Sequence, residues 1–181
     1  MPTSTADLWE TIAVDAGRES TLWTAALRPQ AAQEREPIFS ALAEERYALG
    51  IETIYEGYLL HYGRPRLFTP KDRDTALLLG DYLYAHGLVR IEQVGTVDAV
   101  NDLAELIAMC AYLQAENVAG DGAAWAATAA LLGRSALDGG RDSLRQDNDP
   151  GPLERVARTA AGDELVERAL ALHQRRVAAA P

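Results

Sequence analysis

The chain has 181 residues, which is long enough to bury a hydrophobic core within one domain. Apolar residues make up 48% and charged residues 24%, a composition typical of globular proteins and not of intrinsically disordered chains. The formal charge of −10 argues against a nucleic-acid-binding protein and against a protein held electrostatically on a membrane, because both need concentrated positive charge.

The sequence also contains no signal for export or membrane insertion. No apolar stretch approaches the ~20 residues that span a bilayer, and the first residues, "MPTSTADLWE", lack the basic and apolar regions of a signal peptide. We therefore expect a cytoplasmic protein without a membrane span. The sole cysteine, Cys110, lies in the apolar run "LIAMCAYL", where we expect it to pack in the core.

The first half of the chain is predicted to be helical, since alanine is abundant and alternating β-branched runs are absent. "TSTADLWETIAVDAG" predicts a short helix that stops at Gly17, and "STLWTAALRP" a second that ends before Pro29. A long helical pattern follows over residues 37–62. Gly50 and Gly57 interrupt it, so either the helix bends at these positions or another element approaches its backbone closely.

A capped helix is predicted after the loop "YGRPRLF". Thr69 is expected as the N-cap, Pro70 at the first helical position and Asp72 as the reciprocal capping residue. This helix should run to Val94 and stop at Gly95. "TVDAVNDLAELIAMCAYLQAEN" predicts the next helix, with a continuous apolar stripe, and "AAWAATAALLG" predicts a short alanine-rich helix.

The C-terminal part changes in character. Residues 137–152 are polar, rich in Gly and Asp and nearly without apolar anchors, which predicts an exposed loop. Residues 153–181 predict one or two amphipathic helices with a break near Gly162. Together these elements predict an all-α fold, in which six to eight helices form a single-domain helical bundle over residues 1–181.

Two acidic residues are candidates for metal binding. Glu52 and Glu56 are four residues apart and share one face of a helix. Their carboxylates could surround one metal ion, or they could form a solvated acidic strip. Zinc is not expected, because the three histidines and the lone cysteine show no zinc-ligand spacing.

The densest positive cluster of this acidic chain follows shortly after. It consists of Arg64, Arg66, Lys71 and Arg73. Arginine offers a planar, bidentate fork, so the cluster suits a diphosphate or carboxylate ligand. Alternatively, the four cations pair with neighbouring acids.

All seven tyrosines lie between residues 47 and 112. Tyr55, Tyr58 and Tyr62 recur at helical spacing close to the acidic pair. They could line a cavity for an apolar chain, with their hydroxyl groups bonded to polar partners, or they could belong to an ordinary core.

The segment "GRPRLFTPKDRDTALLLGDYLYAHGL" resembles the part of trans-isoprenyl diphosphate synthases that follows their first aspartate-rich motif. Residues 63–65 are similar to the Arg-Arg-Gly-Lys-Pro-type turn of that family, and Gly80-Asp81 is similar to the Gly-Asp signature of its next helix. The similarity covers about residues 38–135. It implies part of the isoprenoid synthase fold and makes Asp81 a ligand-binding candidate.

Several positions depart from the family pattern. By the family spacing, the first aspartate-rich motif, DDxxD, falls on residues 52–56, which implies Glu52 and Glu56 as candidate Mg²⁺ ligands while the middle acid is replaced by Thr53. The paired arginines of the family fall on His61 and Tyr62. No second aspartate-rich motif is found further along the chain. The resemblance therefore implies a degenerate and truncated relative.

Three functions are compatible with these observations. The first is a non-catalytic accessory or regulatory subunit without a cofactor, assembled as a homodimer or with a prenyl synthase-like partner. The second is a binding module for an isoprenoid or another apolar ligand with a polar head. The third is a residual enzyme that uses Mg²⁺ at Glu52 and Glu56 to act on prenyl diphosphates. The candidate ligand-binding residues are Arg64, Arg66, Lys71, Asp81, Tyr55, Tyr58 and Tyr62.

Overall fold

The computed structural model describes residues 5–178. Within these residues the chain forms nine α-helices and no β-strand, which confirms the predicted all-α helical bundle. The helices are α1 (Thr5–Glu19), α2 (Thr21–Ala26), α3 (Ala48–Tyr62), α4 (Arg73–Val94), α5 (Val97–Glu116), α6 (Asp121–Ala130), α7 (Asp138–Asp147), α8 (Gly151–Ala161) and α9 (Asp163–Val177). None of the helices in this described range is long and apolar enough to cross a membrane.

Helices α3 and α4 form the antiparallel pair at the centre of the bundle. Residues 50–60 of α3 are all buried. A Cβ atom at Gly57 would lie 2.9 Å from the carbonyl oxygen of Gly80, and one at Gly50 would lie 3.3 Å from that of Gly87. The two helices therefore touch backbone to backbone, and of the two alternatives considered for the α3 glycines, a bend or a close approach, the structure shows the close approach.

The buried apolar side chains form two clusters on either side of this pair. The larger cluster joins α3 to α5, α6, α8 and α9 and includes Phe39, Tyr55 and Trp125, with Cys110 buried as predicted. The smaller cluster lies beneath α1 and α2 and includes Trp9. Burial of this apolar area is the main favourable contribution to folding.

The predicted helix over residues 37–62 is wrong in its first third, because α3 begins only at Ala48. Residues 40–47 instead contain two short 3₁₀ turns. The amide groups of Ile38 and Ser40 donate hydrogen bonds to Oε1 of Glu52, at 3.1 and 3.2 Å. A side chain of α3 thus satisfies backbone donors that an N-terminal extension of the helix would have used internally.

The predicted start of α4 is also displaced. Asp72, not Thr69, is the N-cap, and its carboxylate accepts a hydrogen bond of 2.8 Å from the amide of Thr75. The amide of Thr69 donates to the carbonyl oxygen of Ala26 instead, at 2.7 Å. The loop before α4 therefore stays extended against the end of α2, and the predicted end of α4 at Val94 is confirmed.

The exposed loop predicted over residues 137–152 is wrong, because this segment forms α7 and the beginning of α8. Leu137 and Leu144 are buried, and Arg141 lies between them on the same helical face. The guanidinium of Arg141 donates to both the carboxylate and the carbonyl oxygen of Asp102, each at 3.1 Å. Two leucines and one paired arginine are enough to bury one side of a short helix.

The predicted break near Gly162 is confirmed. Helix α8 ends at Ala161 and α9 begins at Asp163. Gly162 has a φ of 91°, a conformation that glycine adopts without steric cost. The turn lets α9 return across α3, where its C-terminal half closes the region described below.

We expect Gly57→Ala to lower the free energy of unfolding by about 1–3 kcal/mol, because the new methyl group would force α3 away from the backbone of Gly80. The measurement is urea denaturation followed by circular dichroism. Gly139→Ala is the matched control, since a Cβ atom there meets nothing within 4 Å on a helix. This control should be neutral or stabilising by up to about 1 kcal/mol. Equal losses in the two variants would contradict the close helix contact.

Candidate functional site

Arg66 lies between the two glutamates that were the metal-binding candidates. Its guanidinium is 2.6 Å from Oε2 of Glu52 and 3.0 Å from Oε2 of Glu56. All three side chains have an exposed fraction of 0%. The expectation of a solvated acidic strip is therefore wrong. We call Glu52, Glu56 and Arg66 the Arg66 cluster.

The remaining acceptor positions of the Arg66 cluster are also occupied. Oε1 of Glu52 accepts hydrogen bonds from the amides of Ile38 and Ser40 and from the Ser40 hydroxyl. Oε1 of Glu56 accepts from the amides of Arg66 and Leu67, at 2.8 and 2.7 Å. Each of the four carboxylate oxygens therefore accepts at least one hydrogen bond, and each buried charge is satisfied within the protein.

The charge of Arg66 is fixed by the same contacts. Burial alone would lower the pKa of Arg66, but the two neighbouring carboxylates outweigh it and raise that pKa above its usual range. The guanidinium also lies over the rings of Trp9 and Tyr55, at 4.6 and 5.0 Å. Across residues 5–178, no group of three or more His, Cys, Asp or Glu side chains is placed to hold a metal ion.

The other predicted cations do not join Arg66. Arg64, Lys71 and Arg73 are exposed, whereas Arg66 is buried. Lys71 lies 3.8 Å from Asp72, so it has the neighbouring acidic partner that was considered for the cluster. The sequence cluster is therefore divided between the protein interior and its surface.

An open cleft of about 580 Å³ lies between the end of α3 and the beginning of α4. Arg28, His61, Tyr62, Arg73 and Gln114 contribute its main polar side chains. Among the described residues no acidic side chain lines it, and we call it the arginine cleft. The guanidinium of Arg28 is held by hydrogen bonds to the carbonyl oxygens of two residues in the loop before α4.

His61 joins the arginine cleft to the predicted residue Asp81. Its ring stacks on Tyr84 with 5.0 Å between ring centroids, and its Nε2 lies 3.1 Å from Oδ1 of Asp81. Burial lowers the pKa of His61, and Asp81 opposes this only in part. The imidazole is therefore neutral near pH 7, and Asp81 lies on the exposed side of α4, outside the cleft lining.

A second cleft of about 320 Å³ adjoins the first at Tyr62 and Gln114. It lies between the end of α5, the beginning of α6 and the end of α9. Asn117, Asp121 and Gln174 complete its polar lining. We call it the Asp121 cleft.

A buried hydrogen-bonded chain leads from the core to the Asp121 cleft. The Tyr58 hydroxyl donates to Oδ2 of Asp121, and Nε2 of His173 lies 3.2 Å from the same oxygen. The Tyr55 hydroxyl is 2.9 Å from Nδ1 of His173. Tyr55 and Tyr58 thus belong to the core, while Tyr62 is the predicted tyrosine that lines the clefts.

The ionisation of this chain follows from its surroundings. Burial raises the pKa of Tyr55 and of Tyr58, so both hydroxyl groups keep their protons at neutral pH. Burial would also raise the pKa of Asp121, but the hydrogen bond and electrostatic attraction of His173, together with the hydrogen bonds from the Tyr58 hydroxyl and the Gly122 amide, outweigh it, and the pKa lies below its ordinary value of 3.8. Asp121 is therefore a carboxylate at neutral pH.

Sequence reasoning missed Arg28, Asp121, Gln174 and His173 as cleft or network residues. Tyr58 and Asp121 are 63 residues apart, and Asp121 and His173 are 52 apart. No local spacing could reveal contacts of this kind. Only the packing of α9 against α3 and α6 brings these side chains together.

Comparison of the chain with models of protein families, with curated protein sequences and with solved structures gives no match. The function must therefore be argued from the residues of the Arg66 cluster, the two clefts and the buried network. The resemblance of residues 38–135 to prenyl synthases stays a prediction.

We expect Arg66→Met to lower the free energy of unfolding by about 3–5 kcal/mol, because it leaves two carboxylates buried without a cation. Urea denaturation at pH 7 measures the loss. Arg64→Met is the matched control: this arginine is two positions away and exposed, so the change should stay within about 0.5 kcal/mol. Similar losses in both variants would contradict a special role for the Arg66 cluster.

Acid should weaken the fold partly through Asp121. Its pKa is lower in the folded chain than the ordinary 3.8, so its stabilising contribution is complete above the unfolded pKa and disappears as the pH falls through the folded value. Between about pH 5 and pH 3, Asp121→Asn should therefore lose less stability than the wild type. Urea denaturation at stepwise pH measures this, with circular dichroism at pH 7 to verify that the variant folds. Parallel pH profiles would contradict the prediction.

Proposed function

We propose that the protein is a non-catalytic relative of the trans-isoprenyl diphosphate synthases that acts as an accessory or regulatory subunit. The observation that carries the proposal is the position of Arg66 between Glu52 and Glu56. These are the two positions at which the resemblance places metal-binding carboxylates. An arginine side chain stands where a catalytic relative would need a metal ion.

The chemistry of metal-assisted diphosphate departure supports this proposal. Mg²⁺ needs carboxylate oxygens that are open both to the ion and to the phosphates of the substrate. In the Arg66 cluster those oxygens are buried and already bonded. A metal ion that bound these carboxylates would take the counter-charges away from the buried guanidinium of Arg66. Breaking a buried ion pair in this way costs several kcal/mol.

The other positions of the family motif support the same conclusion. Thr53 replaces the middle acid, and its hydroxyl donates to the carbonyl oxygen of Leu49 and accepts from Arg90 of α4. His61 and Tyr62 replace the paired arginines. His61 is neutral and stacked on Tyr84, so it offers no fixed positive charge to a diphosphate.

An accessory subunit also needs a surface for its partner, and α5 has an apolar face that is partly exposed. We define the α5 face by Val100, Ala104, Ile107, Ala108, Ala111 and Ala115. Val100 and Ile107 are half-buried and the four alanines are exposed. Apolar residues at this helical spacing are typical of a face that another helix covers. We propose that a prenyl synthase-like chain packs on it.

The catalytic half of the proposal is tested with the purified protein, Mg²⁺ and a series of prenyl diphosphates. We expect no release of pyrophosphate above the buffer rate, because Arg66 occupies the space between the carboxylates. Magnesium-dependent release that disappears in Glu52→Gln would overturn the non-catalytic assignment.

The proposed subunit role is tested by co-expressing the protein with prenyl synthase-like chains of the source genome and then purifying it. A complex should co-purify, and Ile107→Arg should abolish it by placing a charge in the α5 face. Leu165→Arg is the control, since this leucine is 46% exposed on α9, away from α5. Recovery of a monomer in every co-expression, or an equal effect of the two variants, would refute the proposed partner surface.

A further inference from the structure

The carboxylate of Asp121 lies at a cleft without a strong cationic partner. Its side chain is 18% exposed and lines the Asp121 cleft. In the described part of the chain, the ion-pair partner within 4.0 Å of this carboxylate is His173, with no arginine or lysine. Carboxylates that are largely removed from water are ordinarily paired with a full positive charge.

The hydrogen bonds around His173 are satisfied by a neutral imidazole. If Nε2 carries the proton, it donates to Asp121, and Nδ1 accepts from the hydroxyl of Tyr55. A doubly protonated ring would donate to the Tyr55 oxygen and leave the buried Tyr55 hydroxyl proton without an acceptor. This arrangement gives Tyr55, His173 and Asp121 a hydrogen-bond partner each, and no arginine or lysine of the described residues lies within 4.0 Å of the Asp121 carboxylate.

The position of Asp121 on α6 keeps this charge in place. Asp121 is the first residue of a ten-residue helix, where the backbone amides favour an anion. The Tyr58 hydroxyl donates to the same carboxylate oxygen as His173. The carboxylate is thus ionised, oriented by Tyr58 and His173, and part of the cleft lining.

The remaining lining indicates which kind of cation fits. Tyr62 presents a half-buried aromatic ring, and Gln114, Asn117 and Gln174 supply amide oxygens. Apolar side chains, among them Val177, complete the walls. A carboxylate beside an aromatic face recognises an organic ammonium group through ion pairing and cation–π attraction. A metal ion is less well served, because it needs several oxygen ligands of fixed geometry.

We propose that the Asp121 cleft binds a small organic ammonium ion, with Asp121 as the counter-ion and Tyr62 as the aromatic wall. The cleft volume of about 320 Å³ suits a ligand of a few carbon atoms. This binding goes beyond the subunit function proposed above and does not depend on it, because it involves neither the Arg66 cluster nor the α5 face.

The test is calorimetric titration of the full chain with choline chloride. Its uncharged counterpart, 3,3-dimethylbutan-1-ol, has nearly the same shape and isolates the contribution of the charge. We expect saturable binding of choline and binding of the alcohol that is at least about tenfold weaker at matched ionic strength. Equal binding of the two probes, or heat that sodium chloride reproduces, would overturn the proposal.

Four variants locate the site. Asp121→Asn should abolish choline binding, whereas Asp138→Asn should leave it unchanged, since Asp138 is 94% exposed in a different cleft. Tyr62→Leu should weaken binding and Tyr62→Phe should retain it, because only the leucine removes the aromatic face. If Asp121→Asn does not fold by circular dichroism, the Tyr62 pair decides. Undiminished binding in Asp121→Asn, or equal binding in the two Tyr62 variants, would refute the site.

Discussion

The buried salt bridge between Arg66 and two glutamates of α3 organises much of the N-terminal half of the protein. Glu52 holds the irregular segment before α3 through two of its backbone amides, and Glu56 holds the loop after α3 through two more. Arg66 itself comes from that loop and neutralises part of the charge. Two side chains one helical turn apart thereby fix the chain on both sides of the helix that carries them. A buried ion pair is weak support for net stability, but its geometry specifies one arrangement of these segments.

The buried salt bridge also separates polar groups that a ligand cannot reach from polar groups that line open clefts. The Arg66 cluster is fully buried and its four carboxylate oxygens already accept hydrogen bonds, so they are closed to an incoming ligand. Two clefts with accessible polar groups, the arginine cleft and the Asp121 cleft, lie near the C-terminal end of α3. These two clefts have opposite lining charges and share Tyr62 and Gln114. This end of the bundle thus presents a cationic and an anionic cleft side by side.

Sequence patterns predicted the elements whose signals are local. The end of α4, the long helix α5 and the break at Gly162 all depend on residues near each other in the chain. The patterns failed where a distant partner decides the outcome. Helix α7 forms because Asp102 of α5 accepts Arg141, and the segment before α3 stays irregular because Glu52 accepts its amides.

At the candidate site the sequence predicted even less, because most of its contacts join residues that are distant in the chain. The spacing of Glu52 and Glu56 on one helical face was correct, but only the folded chain shows that Arg66 lies between them. Their burial could not be read from the pattern, since glutamates at this spacing usually face water. The network from Tyr55 to Asp121 depends on His173 of α9 and had no local signal at all.

Helix α9 joins the end of the described chain to its N-terminal half. Its Arg176 pairs with Glu34 across 142 residues, and the Arg176 carbonyl oxygen accepts the amide of Arg64. The wall of the Asp121 cleft and the last member of its network thus come from a helix that lies 118 residues from Tyr55 and 142 residues from Glu34 in the sequence. Contacts of such long sequence separation are entropically expensive and form late. During synthesis α6 leaves the ribosome before α9, so the Asp121 cleft acquires its shape only when α9 has been made and has docked.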